Sequence, residues 1–317
     1  APLPFEQDIH DLEVALDQLE AAGSPSAQSE PVKAMKRELA AVLKARYAAL
    51  SPWETVLVSR HPARPQLLDY IAGAFDEFVE LHGDRAFGDD RAIRTGFARL
   101  GDFKVMLIGH HKGRTLQERQ QCFYGCAHPE GYRKALAKMQ LAARYGLPVV
   151  CLIDTPGAYP GIGAEERGQS QLIATSILEM TRLRTRVVCA VIGEGGSGGA
   201  LGIGVGDRVA MLQHAYYSVI SPEGCAGILW KVATEETKPL AAGALRLTST
   251  DLSSLRVIDD VIKEPVGGAH RAPREAASNL RAYLQKNLRE LAGQSLDHVV
   301  GRRYDKFRQM GQFLGGG

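Results

Sequence analysis

VVCLIDTPGAYPGIGAEERGQSQLIATSILEMTRLRTRVVCAVIGEGGSGGALGIGVGD, residues 149–207, decides the fold. VVCLI is a short unbroken apolar run, the pattern of a strand covered on both faces of its sheet. DTPGAYPGIGAEERG interrupts it, QSQLIATSILEMTRLR carries apolar residues at helical spacing, and RVVCAVI is a second buried-strand run. Strand, helix and strand in that order imply parallel pairing through a right-handed crossover, so the expected class is α/β. Both predicted strands end in glycine-rich turns, at 154–161 and 193–202. The carboxyl ends of parallel strands are where such sheets take their ligands.

Toward the N-terminus, GYRKALAKMQLAARYGLP (131–148) sets Tyr132, Leu136, Met139 and Ala143 on one helical face and stops at Gly146 and Pro148. IRTGFARLGDFKVMLIGHHKG (93–113) reads as a strand hairpin turning at Leu100-Gly101-Asp102. QLLDYIAGAFDEFVELHG (66–83) carries Leu67, Ile71, Phe75, Phe78 and Leu81, and is expected to be one amphipathic helix ending at Gly83. Phe5, Ile9, Leu12, Leu16 and Leu19 form one apolar stripe, AAGSPSAQSEP breaks it, and Val32, Met35, Leu39 and Val42 form a second after Pro31. Two such short helices bury too little to stand alone, so one side of this hairpin must dock on the body or on a partner. Toward the C-terminus, RVAML, HAYYSVI and RVIDDVI are strand-like, 238–247 and 273–291 are helical, and GQFLGGG is a frayed end. The expected division is an N-terminal helical hairpin at 1–50, one α/β body including C-terminal helices at 51–304, and a flexible tail at 305–317.

Composition narrows the function. The 38 Lys+Arg against 36 Asp+Glu leave a net charge of +2, which offers nothing to a nucleic-acid partner. Cys122, Cys126, Cys151, Cys189 and Cys225 are an odd, scattered set and read as reduced thiols. No run of 18 uncharged apolar residues exists, and APLPFEQDIHDLE carries acids where a secretory signal carries bases. A cytoplasmic protein without a membrane span is expected.

The turn DTPGAYPG is either a rigid corner or a pocket wall with exposed backbone donors. GEGGSGGALG admits three readings. Gly193, Gly195 and Gly198 satisfy GxGxxG, but the next acid, Asp207, comes too early to hold a ribose, and no GK[ST] follows. Gly195, Ser197 and Gly199 satisfy the GxSxG of a nucleophile elbow, which would need a base for Ser197; His214 follows so closely that it falls in the next strand. The third reading uses no side chain, because successive glycines let backbone N–H groups converge on a developing oxyanion. That reading is favoured.

HPEGYRKALAKMQLAARYGLPVVCLIDTPGAYPGIGAEERGQS, VIGEGGSGGALGIGVGDRVAMLQHAYYSVISPEGCAGILWK and EPVGGAHR together resemble the carboxyltransferase α-subunit family of multi-subunit bacterial and plastid acetyl-CoA carboxylases, over 52–304. The resemblance implies a crotonase-like (ClpP/crotonase) spiral fold and an α2β2 assembly with a β subunit. It implies transfer of a carboxyl group from N1′ of carboxybiotin, presented by a biotin carboxyl carrier protein, to the methyl carbon of acetyl-CoA. Malonyl-CoA results, the first committed step of fatty acid synthesis. This chain would face carboxybiotin and β most of the acetyl-CoA, with biotin carboxylase in the larger complex and zinc only on β. Carried onto this sequence, Gly198 and Gly199 offer backbone donors to the ureido oxygen of biotin, Gly195 and Gly196 shape the loop, and Gly157 and Ala158 wall the carboxybiotin pocket. A β-branched side chain at Gly198 or Gly199 is then expected to slow transfer about 100-fold and leave assembly intact.

Other residues carry two readings each. Arg133 and Lys134, and the run His110-His111-Lys112, are candidates for CoA phosphates or ordinary charges. Glu165 and Glu166 suit a helix N-terminus. Cys122, Cys126 and His128 lack a fourth ligand at zinc spacing. Residues 221–230 are a turn feeding a helix or a contact to biotin. Two alternative functions remain: a ClpP-like or esterase-like serine hydrolase acting through Ser197, and a non-catalytic scaffold of a carboxylase complex, for which the helical hairpin is the cue.

Overall fold

The computed structural model describes residues 2–21 and 30–311. Most of the predicted break at 21–31, and of GQFLGGG, lies outside the described residues. Helices α1 (Gln7–Ala21) and α2 (Glu30–Ala48) pack together. They dock on the body through Ile9 and Tyr47, which share a small core with Val58 of α3 (Pro52–Ser59). The Tyr47 hydroxyl donates to Glu6 at 2.6 Å, and Arg271 pairs with the same carboxylate at 2.8 Å.

After α4 (Leu67–Ala74) the chain enters β1 (Glu77–Glu80), β2 (Ile93–Leu100) and β3 (Phe103–His110). Then come α5 (Leu116–Gln121), α6 (Pro129–Arg144), β4 (Val149–Thr155), α7 (Ile162–Glu166), α8 (Gln169–Arg182), β5 (Val187–Gly196), α9 (Ser197–Leu201), β6 (Arg208–Leu212) and β7 (Tyr216–Ser218). The C-terminal part holds α10 (Pro222–Leu229), α11 (Thr237–Leu245), α12 (Ser249–Ser254), β8 (Asp260–Ile262), α13 (Pro273–Ala292) and α14 (Leu296–Arg308). The sheet order is β1-β2-β3-β4-β5-β6-β8, with β7 pairing the far end of β5. From β3 to β8 every pairing is parallel, as the unbroken apolar runs require. Every residue of β4 and β5 is buried. Burying each Val, Leu or Ile there contributes about 1.5–3 kcal/mol relative to exposure.

Three expectations need correction. The helix foreseen over 66–83 stops at Ala74: a Cβ on Gly73 would lie 2.8 Å from Ala277 of α13, so α4 is held tightly there. The Asp76 carboxylate then accepts the Gly101 N–H at 2.7 Å and pairs with Arg281. Phe78 spaced like a helical residue instead enters an edge strand against Ala98. RVIDDVI forms a strand only at its end, because Arg256 is left-handed (φ 57°) and the Asp259 carboxylate accepts the Val209 N–H. The flexible tail expected from 305 is corrected over its first residues, where α14 continues to Arg308; 312–317 lie outside the described residues. Buried Arg303 pairs with Asp207 at 2.8 Å and donates to the carbonyls of Met180, Leu183 and Thr185. Lys306 donates to the Gly206 carbonyl at 2.8 Å.

Candidate active site

The two glycine turns leave neighbouring strands side by side and touch. Ile153 pairs with Val191, but Thr155 pairs with Gly195, so β5 bulges opposite Asp154. A Cβ on Gly193 would fall on the Asp154 carboxylate, whose Oδ1 accepts the Glu194 N–H at 2.9 Å. Beyond the bulge, Thr155 Oγ1 accepts the Gly157 N–H at 3.0 Å, and Gly157 takes φ +154°. A Cβ on Gly196 would stand 2.8 Å from Gly157 N, and one on Gly199 would stand 2.5 Å from both Ala158 N and Gly157 C. Backbone therefore packs directly on backbone, and only glycine permits it.

Gly198 differs. A Cβ there would meet only Ile173, at 3.6 Å, an ordinary contact. The expectation that a β-branched residue at Gly199 leaves the assembly intact is corrected, because the 157–158 backbone would have to move. For Gly198 no such clash exists.

Gly198 and Gly199 are the second and third residues of α9, so their N–H groups are among the four at a helix start with no intrahelical acceptor. Gly198 lines a cavity of about 310 Å³ with Leu201, Tyr217, Val219, Leu245 and Leu252, and no ionisable acid or base lines it except the tyrosine. Gly199, Gly157 and Ala158 form the layer behind. Gly195 sits under Tyr217, whose ring a Cβ would meet at 2.8 Å. The cavity mouth carries exposed Val219, and α10 and α11 beside it expose Ile228, Leu229 and Leu240.

Behind the turns lies a buried charge network that sequence reasoning missed. Lys112 Nζ stands 2.6 Å from Asp154 Oδ1 and 2.5 Å from Glu194 Oε2. Arg60 reaches Glu194 at 2.6 Å and Glu223 at 2.5 Å, and the Tyr216 hydroxyl donates to Glu194 at 2.8 Å. Burial alone would raise the Glu194 pKa, but the Lys112 and Arg60 charges outweigh it and hold the carboxyl at about 2. Burial would likewise lower the Lys112 pKa, and Asp154 and Glu194 raise it instead. Arg64 forks onto Glu264 at 2.6 and 3.0 Å and donates to the Ile192 carbonyl. The only sequence signal was an acid at the start of each glycine turn, Asp154 in first place and Glu194 in second.

Several candidates are placed elsewhere. Lys134 is fully buried, donating to Asp89 at 2.5 Å and to the Asp90 carbonyl at 2.7 Å, while Arg133 pairs with Asp84. Both sit on α6 and are engaged by acids of the loop between β1 and β2, which corrects their candidacy for CoA phosphates. His110 and His111 are also buried, and burial together with the Lys112 charge pulls the His110 pKa down to about 3. Glu165 stands in the first turn of α7, as an acid suited to a helix N-terminus, while the N-cap positions of α7 and α8 are Gly161 and Gly168. Ser221 caps α10 by accepting the Gly224 N–H, so 221–230 is the turn and helix. The His128 ring stacks on Tyr159 at 4.1 Å, and among the described residues no group of three His, Cys, Asp or Glu is arranged to hold a metal ion.

Ser197 is exposed and left-handed (φ 49°), as an elbow residue would be. Among the described residues, however, no histidine hydrogen-bonds to it. His214 is buried against Tyr47, with ring centroids 5.6 Å apart, and its backbone N–H donates to Glu264. The hydrolase reading lacks its base.

The α/β body has the fold of the crotonase-like carboxyltransferases. The transcarboxylase 12S core, solved with methylmalonyl-coenzyme A bound, shares this fold with a TM-score of 0.55 at 21% identity, over 70% of this chain and 42% of that one. Over 313 residues the chain is 58% identical to the acetyl-coenzyme A carboxylase carboxyl transferase subunit alpha of Rhodopirellula baltica, covering 98% of each. It is 50% identical to the corresponding subunit of Methylococcus capsulatus, over 98% of this chain and 97% of that one. Residues 2–311 match the family described as acetyl co-enzyme A carboxylase carboxyltransferase-like. The chain belongs to that family.

Proposed function

We propose that this chain is the α half of a composite, biotin-dependent carboxyltransferase that makes malonyl-CoA from acetyl-CoA. The observation that carries the reading is the pair of N–H groups without an intrahelical acceptor at Gly198, which lines a cavity without a catalytic acid or base, and at Gly199 in the layer behind it. When the carboxyl carbon leaves N1′ of carboxybiotin, the bonding pair stays on the ureido group, and its charge grows on the ureido oxygen. Fixed N–H donors stabilise that charge without reorganisation, and one such donor contributes about 3 kcal/mol. The acetyl-CoA enolate attacks the carboxyl carbon, and the proton lost from its methyl group ends on N1′, so no side chain of this chain has to act as nucleophile.

Carboxybiotin is a substrate arm here, held on the carrier protein. The enolate needs its own donors, which this cavity does not supply. A β subunit covering the exposed Val219, Ile228 and Leu229 would bring them, giving the α2β2 assembly and leaving zinc to β. Biotin carboxylase would recharge the carrier in the larger complex. No described helix is long and apolar enough to cross a membrane, in keeping with a cytoplasmic site for the reaction. The test is reverse transfer: malonyl-CoA consumption with biocytin as acceptor, measured for this chain with and without β. Turnover by the mixture alone is expected.

A further inference from the structure

We propose that Lys112 is a positioning residue for carboxyl transfer, its ammonium setting how closely the two glycine turns approach by bridging the acid at the root of each. The inference rests on the assignment of Gly198 and Gly199 as oxyanion donors. Asp154 comes two residues before Pro156, and Glu194 two before Gly196, the residues at which the turns meet. Lys112, in the loop after β3, lies 2.6 and 2.5 Å from their carboxylates. It thereby ties together the carboxyl ends of three consecutive parallel strands, at the bulge where the β4–β5 register slips.

Two buried carboxylates this close do not both ionise without a cation between them. The surrounding groups decide which one suffers when the cation goes. Arg60, at the end of α3, holds Glu194 and is itself backed by Glu223 of α10, while Tyr216 of β7 donates to Glu194. Arg64 adds a more distant positive charge but is committed to Glu264. Cys126, His110, His111 and Tyr70, further titratable neighbours, are kept neutral by burial. Removing Lys112 therefore leaves Asp154 as the unpaired carboxylate. The two carboxylates then face each other without the cation between them, and the turns part. A displacement of about 1 Å at a positioned group is enough for roughly 100-fold in rate.

The experiment measures kcat and KM separately for malonyl-CoA and biocytin with the chain mixed with β. Lys112→Met is expected to lose about 10- to 100-fold in kcat, with KM for biocytin within about threefold. Lys112→Arg should restore most of the rate. Lys112→Met/Asp154→Asn, in which the acids no longer repel, should fold, recover part of the lost kcat and stay slower than wild type. Wild-type kcat in either Met variant, or a loss that Asp154→Asn leaves unchanged, overturns the inference. Gly198→Val run in parallel separates the two readings. If it turns over at the wild-type rate the oxyanion assignment fails; if it is slow while Lys112→Met is normal, only the role of Lys112 fails.

Discussion

Replacing Gly199 by alanine adds one carbon at the closest approach of the two turns. That carbon would stand 2.5 Å from Ala158 N and Gly157 C and 2.9 Å from Gly157 Cα, where ordinary contact begins at 3.4 Å. These neighbours are main chain, so they cannot rotate away; the turns must separate by about 1 Å. Forced overpacking of this kind costs about 1–3 kcal/mol of stability, and a donor displaced by 1 Å loses roughly 100-fold in rate. Gly198→Ala is the matched control, because its added carbon meets Ile173 at 3.6 Å and moves no backbone. We expect Gly199→Ala to lower kcat about 100-fold in the biocytin assay and to depress Tm, and Gly198→Ala to change kcat by no more than about fivefold with little change in Tm. Wild-type kcat and Tm in Gly199→Ala would refute the packing and, with it, the link between the packing and the donors.

Ser197→Ala should retain carboxyl transfer within a few-fold, and a fluorophosphonate serine probe should leave Ser197 unlabelled; labelling together with loss of turnover would revive the hydrolase reading. Arg303→Met strands the buried Asp207 carboxylate, so urea denaturation should report a loss of about 3–5 kcal/mol, and an unchanged midpoint would contradict the anchoring of α14. Acidification should destabilise the chain in two stages. Burial and neighbouring cations hold the folded His270 at about 4, below its ordinary 6.5, so the unfolded chain binds more protons between those values and stability falls as pH drops through that window. Glu194 and Glu264, held at about 2 against their burial by Lys112 and Arg64 respectively, stabilise the fold above the ordinary 4.5 and lose that contribution as pH falls toward 2. Denaturation midpoints at pH 7, 5.5 and 4 check the first stage, and constancy across them would contradict it.

The parallel core was legible because VVCLI and RVVCAVI are buried on both faces and so show no alternation to be misread. β1 was not: Phe75, Phe78 and Leu81 keep helical spacing, and tertiary contacts mark the end of the helix, α13 against Gly73 and Asp76 with Gly101 and Arg281. The C-terminal extent of α14 was missed for a similar reason, since Arg303 is a core residue by virtue of Asp207 and the carbonyls of Met180, Leu183 and Thr185, far away in sequence. At the site, periodicity located both glycine turns at strand ends, and the family resemblance singled out Gly198 and Gly199. Neither could reveal that Gly199 and Gly196 rest on the backbone of 156–158, or that Lys112 joins Asp154 to Glu194. Such contacts link residues 39 or more positions apart, with no local pattern to announce them.

The central claim is a site completed by a second subunit. Its most direct test is malonyl-CoA consumption with biocytin by this chain alone, by β alone and by the two together. Turnover confined to the mixture, and lost in Gly198→Val, is the predicted result. Equal turnover by this chain alone, or none from a mixture shown to be folded and associated, would contradict it.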